Sequence, residues 1–217
     1  MSGTKGFPDP QNCLDATPLI DADHSEIRCA AARIIGGSDD HLRQAEKIFY
    51  FVRDSIIYSF SVTRQEPSFR ASAVLRRGRG FCTQKAILFC ALARSCGIPA
   101  ALAFYDILDN TLSPVLVRLL GGHMLYRHGI PALWLGGRWM QYDPTLEAAL
   151  ARRKGMSPVD FREDRDSLMP PQKEDGGPAI EYRVFHGMQE DVSFQEIASW
   201  MKAAYPRLVP ETERNMS

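Results

Sequence analysis

Gly78-Arg79-Gly80-Phe81-Cys82, followed by the apolar run from Thr83 to Cys96, is the stretch that decides how this 217-residue chain is read. Glycines let the backbone turn tightly or take left-handed angles without a Cβ clash. The run behind them is apolar at every position from Ala86 to Ala93, the mark of a helix buried on all sides. Gly97 and Pro99 end it. A loop thus delivers Cys82 to the first turn of the central helix, where unpaired N–H groups and the helix dipole favour a thiolate. That placement activates a cysteine nucleophile. The same position also suits a small core residue, because free cysteine packs well. From this stretch alone both readings stand.

Working outward, the N-terminal side reads as helical. Asp21 to Ser25 offer capping groups for a helix from Glu26 to Ile35, which Gly36-Gly37 closes. A second helix starts at Ser38-Asp39-Asp40, with Leu42, Ala45, Phe49, Val52 and Ile56 forming one stripe. Ile56 to Tyr58 is extended, Arg64 to Phe69 a loop, and Ser72 is expected to cap a short helix from Ala73 to Arg77. On the C-terminal side the period changes. Ala100 to Ile107 reads as a strand, Asp109 to Pro114 as a loop, and Met124–Leu135 with Arg138–Tyr142 as a hairpin turning at Gly136-Gly137. Helices first and an antiparallel sheet second make an α+β fold.

The expected organisation is an N-terminal arm over 1–20, a core over 21–150, and an extension over 151–217 packed on the core. The extension reads as loop through Pro178 and then as a terminal helix. Ser193-Phe194-Gln195-Glu196 has capping-box spacing, and Pro206 ends that helix.

Lys plus Arg equals Asp plus Glu at 26 each, so bulk charge argues for neither nucleic acid nor an anionic membrane surface. No stretch has the roughly 20 continuous apolar residues of a membrane span. Residues 1–18 lack the features of a secretory signal. Five irregularly spaced cysteines suggest reduced thiols, hence a cytoplasmic setting. Cys82, Cys90 and Cys96 do not have zinc-site spacing, and along a helix Cys82 and Cys96 lie about 21 Å apart. Neither a P-loop nor a dinucleotide fingerprint is present, so no cofactor is expected.

A cysteine nucleophile needs a base, and the base an orienting group. Counting outward from the Gly136-Gly137 turn pairs Leu135 with Arg138 and Ile130 with Asp143. His128 then falls diagonal to Asp143 on the same face, about 7–8 Å away at the backbone. His123 lies an odd number of residues from Ile130 and points to the other face unless a bulge intervenes. Read singly, His128 is also an ordinary half-buried histidine and Asp143 a turn residue before Pro144.

In combination these residues resemble the transglutaminase-like superfamily, over roughly Glu26 to Leu146. The resemblance is carried by Arg79-Gly80-Phe81-Cys82 and by Leu92-Ala93-Arg94-Ser95-Cys96-Gly97-Ile98-Pro99-Ala100. Val52-Arg53-Asp54-Ser55-Ile56-Ile57-Tyr58, His128, and Trp139 with Asp143-Pro144-Thr145 complete it. It implies a papain-like fold with Cys82 as nucleophile, His128 as base and acid, and Asp143 as orienting carboxylate. The implied chemistry is hydrolysis or transfer of an acyl group from a peptide, amide or acyl-carrying small molecule, through a thioester. Arylamine N-acetyltransferase-like transfer and a non-catalytic peptide-binding module are the alternatives. His128-Gly129-Ile130-Pro131 departs from the family pattern and is expected to bend its strand. The insertion from Asp109 to Gly122 has the length of a lid.

Overall fold

The computed structural model describes residues 6–60 and 66–205. Helix α4 (Cys82–Ser95) is its axis, and every residue from Thr83 to Arg94 is buried. Around it pack α1 (Ser25–Ile35), α2 (His41–Ser55) and α3 (Ala71–Arg77) on one side. On the other lies a four-stranded antiparallel sheet of β3 (Ala100–Asp109), β4 (Met124–Leu135), β5 (Arg138–Gln141) and β6 (Ile180–Gln189), in the order β5-β4-β3-β6. This is the α+β architecture the sequence implies.

The helix ends follow their capping chemistry. Asp40 accepts from the Leu42 N–H, His24 Nδ1 from the Glu26 N–H, and Ser193 opens α7 (Phe194–Ala204) in a complete capping box with Glu196. Gly97 takes a left-handed φ of 76°, and Gly97 and Ile98 donate back to Arg94 and Ala93 at the end of α4. Ser72 does not cap α3. The helix starts two residues earlier, at Ala71, and Ser72 is buried inside its first turn. There the Asp21 carboxylate, reaching from before α1, accepts from the Ser72 N–H at 3.0 Å and from its hydroxyl. Pro206 and residues 61–65 lie outside the described residues.

Arg94 explains why the end of α4 needs an arginine. Its guanidinium is buried and donates to Ala100 O, to Asp15 O and to Glu190 O, so it ties α4 to the start of β3, to the N-terminal segment and to the end of β6. The N-terminal segment is accordingly not loose over its described part. Cys13, Leu19 and Ile20 are fully buried, and Trp139 Nε1 donates to Pro8 O at 3.2 Å.

The hairpin register is the expected one, with Leu135 opposite Arg138 and Ala132 opposite Gln141. Tyr142 N–H still meets Pro131 O at 2.9 Å, but Asp143 then leaves the ladder and donates its N–H to Ser167 O at 2.8 Å. Pro131 sits opposite Leu102 in an unbroken stretch of ladder and does not displace the strand. The irregularity lies earlier. Between Tyr105↔His128 and Ile107↔Leu125 the β4 strand carries one extra residue, and Arg127 adopts φ 56°. The Asp106 carboxylate holds that bulge by accepting the Arg127 N–H at 3.0 Å.

Three elements were not foreseen. Helix α5 (Pro114–Leu120) occupies the insertion after β3, α6 (Ala148–Arg153) follows the Asp143-Pro144-Thr145 turn, and β6 pairs with β3 along its whole length. A two-residue parallel ladder, β1 (Ile57–Tyr58) with β2 (Arg79–Gly80), anchors Tyr58 against the cysteine loop.

Candidate active site

Cys82, His128 and Asp143 converge where the first turn of α4 meets β4. The local backbone makes this approach possible. Gly129 lies so close to α4 that a Cβ there would stand 3.0 Å from Thr83 Oγ1 and 3.1 Å from the Phe104 ring. Its own N–H instead donates to the Cys82 sulfur. Glycine at 129 is therefore a contact requirement that brings the strand and the cysteine together.

His128 Nε2 lies 2.7 Å from Asp143 Oδ2, and both side chains are excluded from solvent at 2% and 0% exposure. The other ring nitrogen, Nδ1, is buried and has no conventional hydrogen-bond partner among the described residues. The group it answers to electrostatically is Cys82. Burial opposes the imidazolium, but the charges of Asp143 and Cys82 outweigh it and raise His128 from 6.5 to about 10. Burial likewise opposes the Cys82 thiolate. His128, the Gly129 N–H and the Thr83 hydroxyl outweigh it, and the thiol is lowered below its ordinary value. Asp143 follows the same logic: burial pushes its carboxyl up, and His128, Thr145 and Tyr182 together hold it below the usual carboxylate range. Each of the three groups is thus pushed toward its charged form by its neighbours in the cluster. The helix N-terminus adds to this preference at Cys82.

Each sequence-chosen residue is thus in the cluster. The strand-face argument reached His128 across a ladder that is unbroken from Ile130, and its proviso about His123 applies. The bulge at Arg127 resets the alternation, so an odd count from Ile130 does not exclude His123. Position excludes it: His123 lies just before the first residue of β4, with Nδ1 2.9 Å from Asp109 O.

Several contributing residues had gone unmarked. Tyr182 on β6 donates its hydroxyl to Asp143 Oδ2 at 2.6 Å. Burial and the Asp143 charge push its own ionisation far up, so it remains a donor at any ordinary pH. Ile180-Glu181-Tyr182-Arg183-Val184 alternates apolar and polar, a strand signal that was available. Lys85, one turn below Cys82, is fully buried and donates to Ile56 O at 2.7 Å and Arg53 O at 3.2 Å. It fixes the turn that carries Tyr58, and burial lowers its amine to about 7.

Two spaces open at the cluster, sharing Tyr58, Phe60, Leu125 and His128 in their walls. One, of about 40 Å3, lies between Cys82, Thr83 and α7, under Trp200, Met201 and Tyr205. The other, of about 430 Å3, runs from His128 to α5 and α6. Helix α7 is held over the first by the Arg127 guanidinium on the Trp200 ring at 4.9 Å and by Tyr205, whose hydroxyl accepts the Tyr126 N–H at 2.7 Å.

A sequence profile of the transglutaminase-like superfamily matches residues 28–144, more than half of the chain and including all three residues of the cluster. The chain belongs to the transglutaminase-like superfamily. A solved structure agrees on the fold, and two others show weaker likeness. A presumed cysteine protease from Cytophaga hutchinsonii superposes with a TM-score of 0.50 at 17% identity, over 83% of this chain and 54% of its own. The periplasmic domain of TgpA from Pseudomonas aeruginosa gives 0.47 at 19% identity, over 68% and 51%. An arylamine N-acetyltransferase from Mycobacterium abscessus gives 0.44 at 14% identity, over 88% and 74%. This superfamily chain spans about half the length of the first two. No curated protein matches it by sequence at a significant level. No described helix is long and apolar enough to cross a membrane.

Proposed function

We propose that this protein is a cysteine-dependent acyl hydrolase, with Cys82 as nucleophile, His128 as acid and base, and Asp143 as the group that orients and charges His128. The observation that carries the reading is the buried 2.7 Å His128–Asp143 contact beside a cysteine whose thiol is held below its ordinary value. In the first half-reaction the Cys82 thiolate adds to the acyl carbonyl of an amide, ester or thioester. The oxyanion is met by the free N–H groups at the start of α4. When the tetrahedral adduct collapses, the bond to the leaving group breaks and His128 gives that group its proton, leaving a thioester on Cys82. In the second, water adds to the thioester carbon and passes a proton to His128. The C–S bond then breaks, the acid leaves, and the thiolate–imidazolium pair is restored.

Water is taken as the acceptor, and the acetyl-coenzyme A experiment below separates this from transfer to an amine. A reducing compartment suits the five free cysteines.

Cys82→Ala tests the reading. Intact-mass measurement on short acyl thioesters should show an acyl adduct on the wild type and none on the variant, whose melting temperature stays close to wild type. Full activity in Cys82→Ala would overturn the assignment. Faster release of N-acetylated arylamine than of free acid, with acetyl-coenzyme A as donor, would favour transfer over hydrolysis. Absence of an adduct on both proteins would favour a binding module.

A further inference from the structure

The space of about 430 Å3 on the His128 side lies within the usual 300–1,000 Å3 of small-molecule sites. Three of its polar wall residues are already occupied by one another. Asp109 Oδ1 accepts from both the N–H and the hydroxyl of Thr111, at 2.7 and 2.6 Å. Lys154 Nζ donates to Thr111 O and Oγ1, each at 2.9 Å. A polar guest would therefore be desolvated there without gaining partners from these three residues, which is unfavourable. Apart from Arg153, which is exposed, most of what remains open to a guest is apolar: Leu112 and Leu116 on the α5 side, Leu146 and Leu150 on the α6 side, and Met169. Leu112, Leu116 and Leu150 are only partly buried, so this surface is not consumed by the protein's own core. The pocket ends at His128, where the reacting carbonyl must lie.

We infer that this pocket receives an apolar chain attached to the acyl carbon, making the substrate the derivative of an aliphatic or arylaliphatic acid rather than of a polar or charged one. The inference rests on the nucleophile reading above. The insertion after β3 is then the specificity wall: α5 presents Leu116 to the chain, while Val115 on the same helix is 64% exposed and lines no part of the pocket.

Chloromethyl ketones, R–CO–CH2–Cl with R methyl, butyl or octyl, test it without knowledge of the natural substrate. Cys82 Sγ forms a bond to the methylene carbon and chloride leaves, which places R in the acyl position. The readout is the alkylation rate at Cys82 relative to that at the exposed Cys29, mapped by mass spectrometry. Transfer of methylenes from water sets a ceiling of roughly fourfold per carbon, so a rise of about tenfold or more from methyl to butyl is expected. Leu116→Trp should erase the octyl-to-methyl preference, and Val115→Trp should preserve it. Fast labelling of Cys82 that is flat across the series overturns this inference and leaves the nucleophile reading intact. Labelling of Cys82 no faster than Cys29 with every reagent overturns both.

Discussion

Replacing Asp143 with Asn keeps the size of the side chain and removes its charge. His128 stands at about 10 instead of 6.5 although burial alone would lower it. That rise is worth about 5 kcal/mol at 1.36 kcal/mol per pH unit. Two charges about 4 Å apart at an effective dielectric near 20 interact by about 4 kcal/mol, so Asp143 accounts for most of it. In Asp143→Asn the imidazole should fall back by about 3 pH units, to near or below neutrality. Cys82 then loses the imidazolium that opposes its burial, and its thiol should rise. The assay is iodoacetamide labelling of Cys82 against pH. The wild-type midpoint should lie below the ordinary thiol value, and the variant's should move upward. Stability shifts with it. The lowered Asp143 stabilises above about pH 3.8 and loses this as pH falls through its folded value. The raised His128 stabilises below 6.5 and loses this as pH rises toward 10. The variant should lose both slopes. An unchanged labelling midpoint would refute the electrostatic account of the site.

Tyr182→Phe removes the hydrogen bond to Asp143 and should cost about 1.5–3 kcal/mol in urea unfolding. In the Asp143→Asn background the same change should cost much less, because the hydroxyl then faces no charge. Gly129→Ala places a methyl against Thr83 and Phe104, forcing β4 away from α4. We expect a loss of about 1–3 kcal/mol and slower Cys82 labelling at neutral pH, where a stability loss alone would leave labelling fast. Lys85 is lowered to about 7 against 10.5 when unfolded, so its charged form is disfavoured in the fold. The penalty is complete below pH 7 and is relieved as pH rises toward 10.5, by up to about 1.4 kcal/mol per unit. Comparing the melting curves of Lys85→Met and wild type at pH 7 and pH 9 should expose that slope, and parallel curves would contradict it.

The parts of the site that were legible in the sequence are those governed by local chemistry. Glycine pairs set the hairpin register, and an uninterrupted apolar run with a glycine stop set α4. Asp143 was reached by counting from the turn even though its backbone has already left the ladder, because the register holds one residue beyond β5. The parts that stayed hidden depend on pairing across long distances in the chain. Helix α5 has a serine–proline start at Ser113-Pro114, but Val115 and Leu119 are exposed, so no buried stripe announces it. Strand β6 alternates only to Val184 before bulges opposite β3 and Gly187 at φ 98° break the pattern. The Arg127 bulge has no signature, since an arginine at φ 56° is strained and is retained by Asp106 from the neighbouring strand. Ser72 was misread because its partner, Asp21, lies 51 residues away.

Strand β6 lies wholly beyond the residues that the superfamily profile covers, yet it occupies one entire flank of β3. A protein cut after the recognisable motifs would expose that flank as ten residues of unpaired backbone, a template for joining other chains edge to edge. During synthesis the same gap exists until residue 189 has left the ribosome. Cys82, His128 and Asp143 are all translated before Tyr182, so until then Asp143 lacks the Tyr182 hydroxyl. The strand that closes the sheet edge therefore also brings the hydroxyl that completes the hydrogen bonds of Asp143.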